Sequence, residues 1–216
     1  MIDGVYYALG LAAGGVIITY LAAWPFALPF YILAAFCLYF FRDPERAVPP
    51  GPVAVSPADG KVVAILPDAA GAQRVSIFLN IFDVHVNRSP IAGKVMCVKY
   101  KKGQFLVASK EAASHSNEQN VITVEGGGTR VVFTQIAGLI ARRIVCSKKA
   151  GDMVDAGERV GLIKFGSRVD VLCDAGAALQ VKVGDRVRGG ASVLAYLQPK
   201  SELASAGRQS AAEGER

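Results

Sequence analysis

A glycine and a serine interrupt a strand-like run late in the chain, at "KFGSRVDVL", residues 164 to 172. Glycine in mid-strand weakens the strand and marks a bulge or a close approach. Ser167 after it brings a hydroxyl, which attacks only when a base takes its proton. Imidazoles and carboxylates are the usual base and its orienting partner, and the chain has two histidines. His85 ends an apolar run in "FLNIFDVHVNRSP" (78 to 90), while His115 lies in the polar "SHSNEQN" (114 to 120). Asp59 stands in "SPADG" (56 to 60). Each stretch alone has a plain reading. Gly166-Ser167 is a bulge, His85 a core histidine, Asp59-Gly60 a turn dipeptide, and Asn117-Glu118 a polar loop with His115 on its surface.

The elements that must position these groups read as strands. After "PPGPVAVSPADGK" come short runs dense in valine and isoleucine, such as "KVVAIL", "RVSIFLN", "TRVVFTQIAG" and "SVLAYL", parted by glycine-containing turns. Helical periodicity is missing, so a mainly β sandwich or barrel is expected. One repeat supports it. "AGDMVDAGERVGLI" (150 to 163) and "VGDRVRGGASVLAY" (183 to 196) share G-D-x-V-x-x-G, a tight turn between two strands that resembles the hairpin turns of lipoyl- and biotinyl-type sandwiches. The tail, 199 to 216, is small and polar, and disorder is expected there.

Hydrophobic residues make up 52% of the 216 residues, and the excess lies at the front. No charge occurs between Asp3 and Arg42. A spanning helix needs about 20 apolar residues, so this run is long enough for two, with Pro25 and Pro29 near the break. A helical hairpin joined by "AWPFALP" is expected over residues 1 to 46, either spanning or embedded from one side. The β-rich body, 47 to 198, follows it. No basic region precedes the apolar run, which argues against a secretory signal. All 24 Lys and Arg follow the apolar run, which places the body on the cytoplasmic face, beside anionic lipid. Cys37, Cys97, Cys146 and Cys173 show no CxxC pairing and read as reduced thiols.

Taken together, "SPADG", "FLNIFDVHVNRSP", "SHSNEQN" and "KFGSRVD" occur in the order, and with the flanks, of the pyruvoyl-dependent phosphatidylserine decarboxylases. The chain resembles the short form of that family, from "FRDPER" through "GDRVRGGASVLAYL". The resemblance implies self-cleavage between Gly166 and Ser167 into a β chain, 1 to 166, and an α chain, 167 to 216, which remain associated. Ser167 would become an N-terminal pyruvoyl group, with His85 as base and Asp59 orienting the imidazole. Phosphatidylserine would then form a Schiff base with the pyruvoyl ketone and lose CO₂ to give phosphatidylethanolamine at the inner membrane. Long family members read His-Arg-x-His-x-Pro where this chain reads "HVNRSP", with Arg88 in place of the second histidine. Arg88 and Arg168 suit a lipid phosphate or carboxylate. No metal and no nucleic acid is expected. Two other readings remain: a membrane-anchored lipoyl-like adaptor without catalysis, and a pyruvoyl decarboxylase of a soluble amino acid.

Overall fold

In a computed structural model of the chain, placement is described for residues 2–68, 71–106, 108, 113–139, 143–164 and 166–198. The expected disordered tail lies outside these residues. The apolar N-terminus forms two helices, α1 (Ile2–Leu21) and α2 (Trp24–Phe40). Their junction is shorter than the expected "AWPFALP". Pro25 falls in the first turn of α2, where its missing N–H has no bond to lose, and Pro29 is carried inside the helix.

The stretch Gly4–Leu21 is apolar and long enough to cross a membrane, with a mean hydropathy of 1.6 and 17% of it buried. With 17 residues, α2 is shorter. Glycines on α1 admit aromatic residues closely: a Cβ on Gly4 would lie 2.4 Å from Phe41, and one on Gly15 would lie 2.9 Å from Tyr31. The same compact unit, up to Glu45, takes in Ile81–Val84. There the Phe82 carbonyl accepts from the Tyr39 hydroxyl at 3.1 Å and from the Arg42 guanidinium at 2.6 Å.

The second unit is mainly β, as the turn and strand pattern predicts. In chain order its elements are β1 (Val53–Val55), β2 (Gly60–Pro67), β3 (Gln73–Leu79), β4 (Val86–Arg88), β5 (Gly93–Lys101), a single-turn helix α3 (Ala113–Ser116), β6 (Gln119–Gly126), β7 (Thr129–Ile136), β8 (Ile144–Cys146), β9 (Met153–Val154), β10 (Arg159–Ile163), β11 (Ser167–Cys173), β12 (Ala178–Leu179), β13 (Arg186–Val187) and β14 (Val193–Tyr196). Eight form one antiparallel sheet in the order β13-β2-β3-β11-β7-β6-β5-β9. The two smaller sheets run β1-β14-β12 and β4-β10-β8.

That order is a palindrome. Folding it at the β11/β7 pair lays β13 on β9, β2 on β5 and β3 on β6, and the two small sheets match in the same way. Backbone bonds repeat too: Leu197 donates to the Pro52 carbonyl at 2.8 Å as Ile163 does to that of His85 at 3.3 Å, and Gly190 donates to Ser56 at 2.7 Å as Gly157 does to Ser89 at 2.8 Å. Sequence follows, since "SPADGKV" (56 to 62) matches "SPIAGKV" (89 to 95) at the spacing of the G-D-x-V-x-x-G repeat. The unit is therefore two copies of one seven-stranded motif. The inner copy, β4 to β10, is inserted into the β3–β11 hairpin of the outer copy.

Ser167 opens the strand at the centre of this sheet. Every residue of β11 but Leu172 is buried, and Val169, Val171 and Cys173 join Ile77, Val131 and Phe133 in the core. Each such apolar side chain contributes about 1.5–3 kcal/mol. Burial, with the charge of Asp174 adding to it, pushes the Cys173 thiol up to about 12. That thiol stays protonated and inert at neutral pH.

Candidate active site

The insertion decides where the reactive residues meet. In the inner copy, β6 and β7 close through the two-residue turn Gly127-Gly128, both glycines left-handed at φ 58° and 74°, with Gly126 paired to Thr129. In the outer copy Leu79 pairs with Ser167 in the same way, but the whole inner copy stands where that turn would be. Gly128-Thr129-Arg130 is thus the counterpart of Gly166-Ser167-Arg168.

Gly166 keeps the left-handed conformation, φ 62°, which costs glycine little. Its N–H donates to His85 Nε2 at 3.3 Å. His85 precedes β4 and is 2% exposed. An Nε2 that accepts a hydrogen bond carries no proton of its own, so it can take one once the Gly166 N–H moves off it. Ser167 is fully buried, and among the described residues its hydroxyl has no hydrogen-bond partner. A buried, unsatisfied hydroxyl costs about 1–3 kcal/mol. Such a group in a native core calls for an explanation.

Asp59 lies in the turn between β1 and β2. One carboxylate oxygen takes the Arg46 guanidinium at 2.8 Å, and the other takes the Gly189 N–H at 2.7 Å. Gly189 opens the outer-copy turn whose Gly190 bonds to Ser56, so the carboxylate ties two outer-copy turns together. Arg46 had no assigned part in the sequence reading, although it stands in "FRDPER".

The two arginines have protein partners. Arg88 is 5% exposed and donates to the Gly157 carbonyl at 3.0 Å. It lies across the facing turn glycines Gly157 and Gly190. Arg168 is 1% exposed and forks onto Asp170 and Ser76, each at 2.6 Å. Asp170 also accepts from the Ser114 hydroxyl at 2.8 Å.

Gly138, which has no part in the sequence reading, lies against the Gly166 carbonyl. A Cβ on Gly138 would lie 2.0 Å from the Gly166 carbonyl oxygen. Just before it, the Ala137 carbonyl is held at 2.7 Å by the Asn117 amide. Asn117 is fully buried and also grips the Leu106 backbone at 2.9 Å through both its amide and its oxygen. The polar loop expected at "SHSNEQN" is therefore an anchor at Asn117, while His115 is exposed as expected.

Gly138→Ala should slow cleavage after Gly166 at least about 100-fold, since a shift of about 1 Å in a reacting group has effects of that size. A gel time course of the freshly translated chain measures it. Unchanged cleavage would mean that the carbonyl tolerates displacement.

A family model for phosphatidylserine decarboxylase matches residues 33–195. A phosphatidylserine decarboxylase proenzyme of Solibacter usitatus (strain Ellin6076) is 60% identical over 192 residues, covering 89% of this chain and 94% of that one. Proenzymes of the same description from Desulfotalea psychrophila and Erythrobacter litoralis are 47% and 46% identical, over 78% and 89% of this chain and 82% and 86% of theirs.

Proposed function

The chain belongs to the phosphatidylserine decarboxylase family, and from that premise we propose that it is a self-cleaving proenzyme whose Ser167 becomes a pyruvoyl group. The mature enzyme decarboxylates phosphatidylserine to phosphatidylethanolamine. The observation that carries this reading is the geometry at the scissile bond: a buried, unpartnered Ser167 hydroxyl follows a left-handed Gly166 whose N–H rests on His85 Nε2.

In this reading His85 takes the Ser167 proton, and Oγ attacks the Gly166 carbonyl carbon. The C–N bond breaks, the amine takes up a proton, and the amide has become an ester. Loss of the Cα proton of residue 167 then expels the Gly166 carboxylate by β-elimination. The dehydroalanine left behind takes up water and loses ammonia, leaving a ketone. Asp59, held by Arg46 and the Gly189 N–H, orients the imidazole and favours its charged form.

The pyruvoyl group supplies a ketone for the substrate's amine and a sink for the electron pair that departing CO₂ leaves behind. Position 167 fits it, being fully buried on the central strand of the sheet. Arg88 and Arg168 frame the site in this assignment, because their guanidinium groups already serve Gly157, Asp170 and Ser76.

The β chain, 1 to 166, and the α chain, 167 to 216, stay together because β11 is paired on both sides, to β3 and β7, while β13 pairs with β2 and β14 with β1. Residues 1 to 46 hold the enzyme at the cytoplasmic face of the inner membrane, where anionic lipid and the substrate are found. The length and apolarity of α1 support this. Residues 47 to 198 form the catalytic domain.

Intact-mass measurement of the purified protein tests the reading. Two chains, 1–166 and 167–216, are expected, the smaller without a free amino terminus. One full-length chain that releases no CO₂ from phosphatidylserine would sink it.

A further inference from the structure

A second buried donor besides Ser167 lacks a partner. Asn87, on β4, is fully buried, and among the described residues its Nδ2 has no hydrogen-bond acceptor. Its oxygen is occupied, accepting from Gln135 at 2.9 Å, and the Gln135 oxygen accepts in turn from Asn120 at 3.0 Å. With the amides in this orientation, the spare end of Asn87 is a donor.

Three connections place Asn87 beside the reactive serine. It is two residues from His85, whose Nε2 meets Gly166. Gln135 on β7 lies opposite Val169 on β11, and Val169 shares a sheet face with Ser167 because side chains alternate along a strand. Gln135 and Asn87 meet directly.

The duplication supplies an internal control. The inner-copy counterpart of the Leu79–Ser167 pair is Gly126–Thr129, and around it the polar residues are gone. Asn87 is matched by Ala54, Gln135 by Cys173, His85 by Pro52 and Asp59 by Ala92. Ala54 and Cys173 are fully buried and belong to the core. Pro52, Ala92 and Thr129 line a cavity of about 210 Å³ whose walls are mostly apolar. The fold itself is thus content with apolar residues at these positions. Buried amides cost desolvation, and here they occur only in the copy of the site that holds Ser167.

We infer that Asn87 Nδ2 is the binding donor for the carboxylate of the substrate's serine head group. This rests on the pyruvoyl reading above. The carboxylate sits one carbon from the amine that meets position 167, whereas the phosphodiester lies further out and must lead to two acyl chains outside. A donor with no exposure, at the depth of Ser167, meets the inner end of the head group. A neutral amide also suits a group about to lose its charge as CO₂. A buried guanidinium would hold the carboxylate more tightly in the ground state than in the transition state and so raise the barrier.

The test uses the processed enzyme in mixed micelles with limiting phosphatidylserine or with phosphatidylethanolamine, which has the amine but no carboxylate. After cyanoborohydride reduction, lipid adduct on the small chain is counted by intact mass. Asn87→Ala is expected to be cut normally, to lose at least about tenfold in adduct with phosphatidylserine, and to stay within about twofold with phosphatidylethanolamine. A charge-assisted hydrogen bond has that worth. Asn87→Asp keeps the oxygen that Gln135 holds but faces the substrate with an acceptor, and its loss should be at least as large. Equal losses with both lipids, or none with either, overturn the inference while the pyruvoyl reading stands. Uncut wild-type protein, or wild-type protein that forms no adduct with either lipid, overturns both.

Discussion

Ser167→Ala will accumulate as one uncut chain, release no CO₂ from phosphatidylserine, and unfold no more easily than the wild-type precursor. The first two results follow from removing the only atom that can turn the Gly166 amide into an ester. The third separates this outcome from misfolding. Among the described residues the buried Ser167 hydroxyl has no partner, so deleting it removes an unsatisfied polar group, and a gain of about 1 kcal/mol is expected. Intact mass and a denaturant titration measure the two effects. The inner copy sharpens the expectation. Gly128-Thr129-Arg130 occupies the equivalent place, yet the Thr129 hydroxyl already donates to the Gly126 carbonyl at 3.0 Å, and Pro52 stands where His85 would be. No cut is expected after Gly128 in any variant. A cut there, or Ser167→Ala protein still divided after Gly166, means that the nucleophile is misassigned.

His85→Ala should slow self-cleavage about 10²–10⁴-fold, the usual worth of a positioned general base. The Gly166 N–H rests on Nε2, so His85 could matter merely as an acceptor that holds the peptide. His85→Gln separates the two roles, because its amide oxygen can accept from Gly166 but cannot take a proton from serine. If Gln is cut as slowly as Ala, proton transfer is the role. Cleavage restored by Gln would reduce His85 to a positioning residue. Timed gels of the two chains decide between these outcomes.

The sequence allowed the strands and the helical hairpin to be read, for a common reason. Each depends on residues close together in the chain: alternation in "TRVVFTQI" and the uncharged run to Phe41. Other features escaped because their cause lies across the fold. Gly138 reads as an ordinary loop glycine until the Gly166 carbonyl is seen against it. Asn117 looks like surface polarity, and only its bonds to the backbone of Leu106 and Ala137 show it as an anchor. Arg88 and Arg168 suit a lipid oxyanion by residue type alone, and their bonds to Gly157, Asp170 and Ser76 come to light only with the fold. The duplication was visible in part. The repeat at 150 and 183 stands out, while "SPADGKV" and "SPIAGKV" share its spacing and escaped notice because one carries Asp59 and the other Ala92.

The nesting of one copy within the other also sets the order of events during maturation. Leu79 and Ser167 pair directly, yet the entire inner copy separates them in the chain, so this is among the contacts of highest contact order, and such contacts form late. His85 and Gly166 flank the two ends of that insert, which come together when β4 pairs with β10. An unfinished chain holds nucleophile and base apart and stays intact. On the proposed cleavage, the break after Gly166 would record that folding has finished, and the fraction of divided chain in a preparation would assay how much of it reached the native topology.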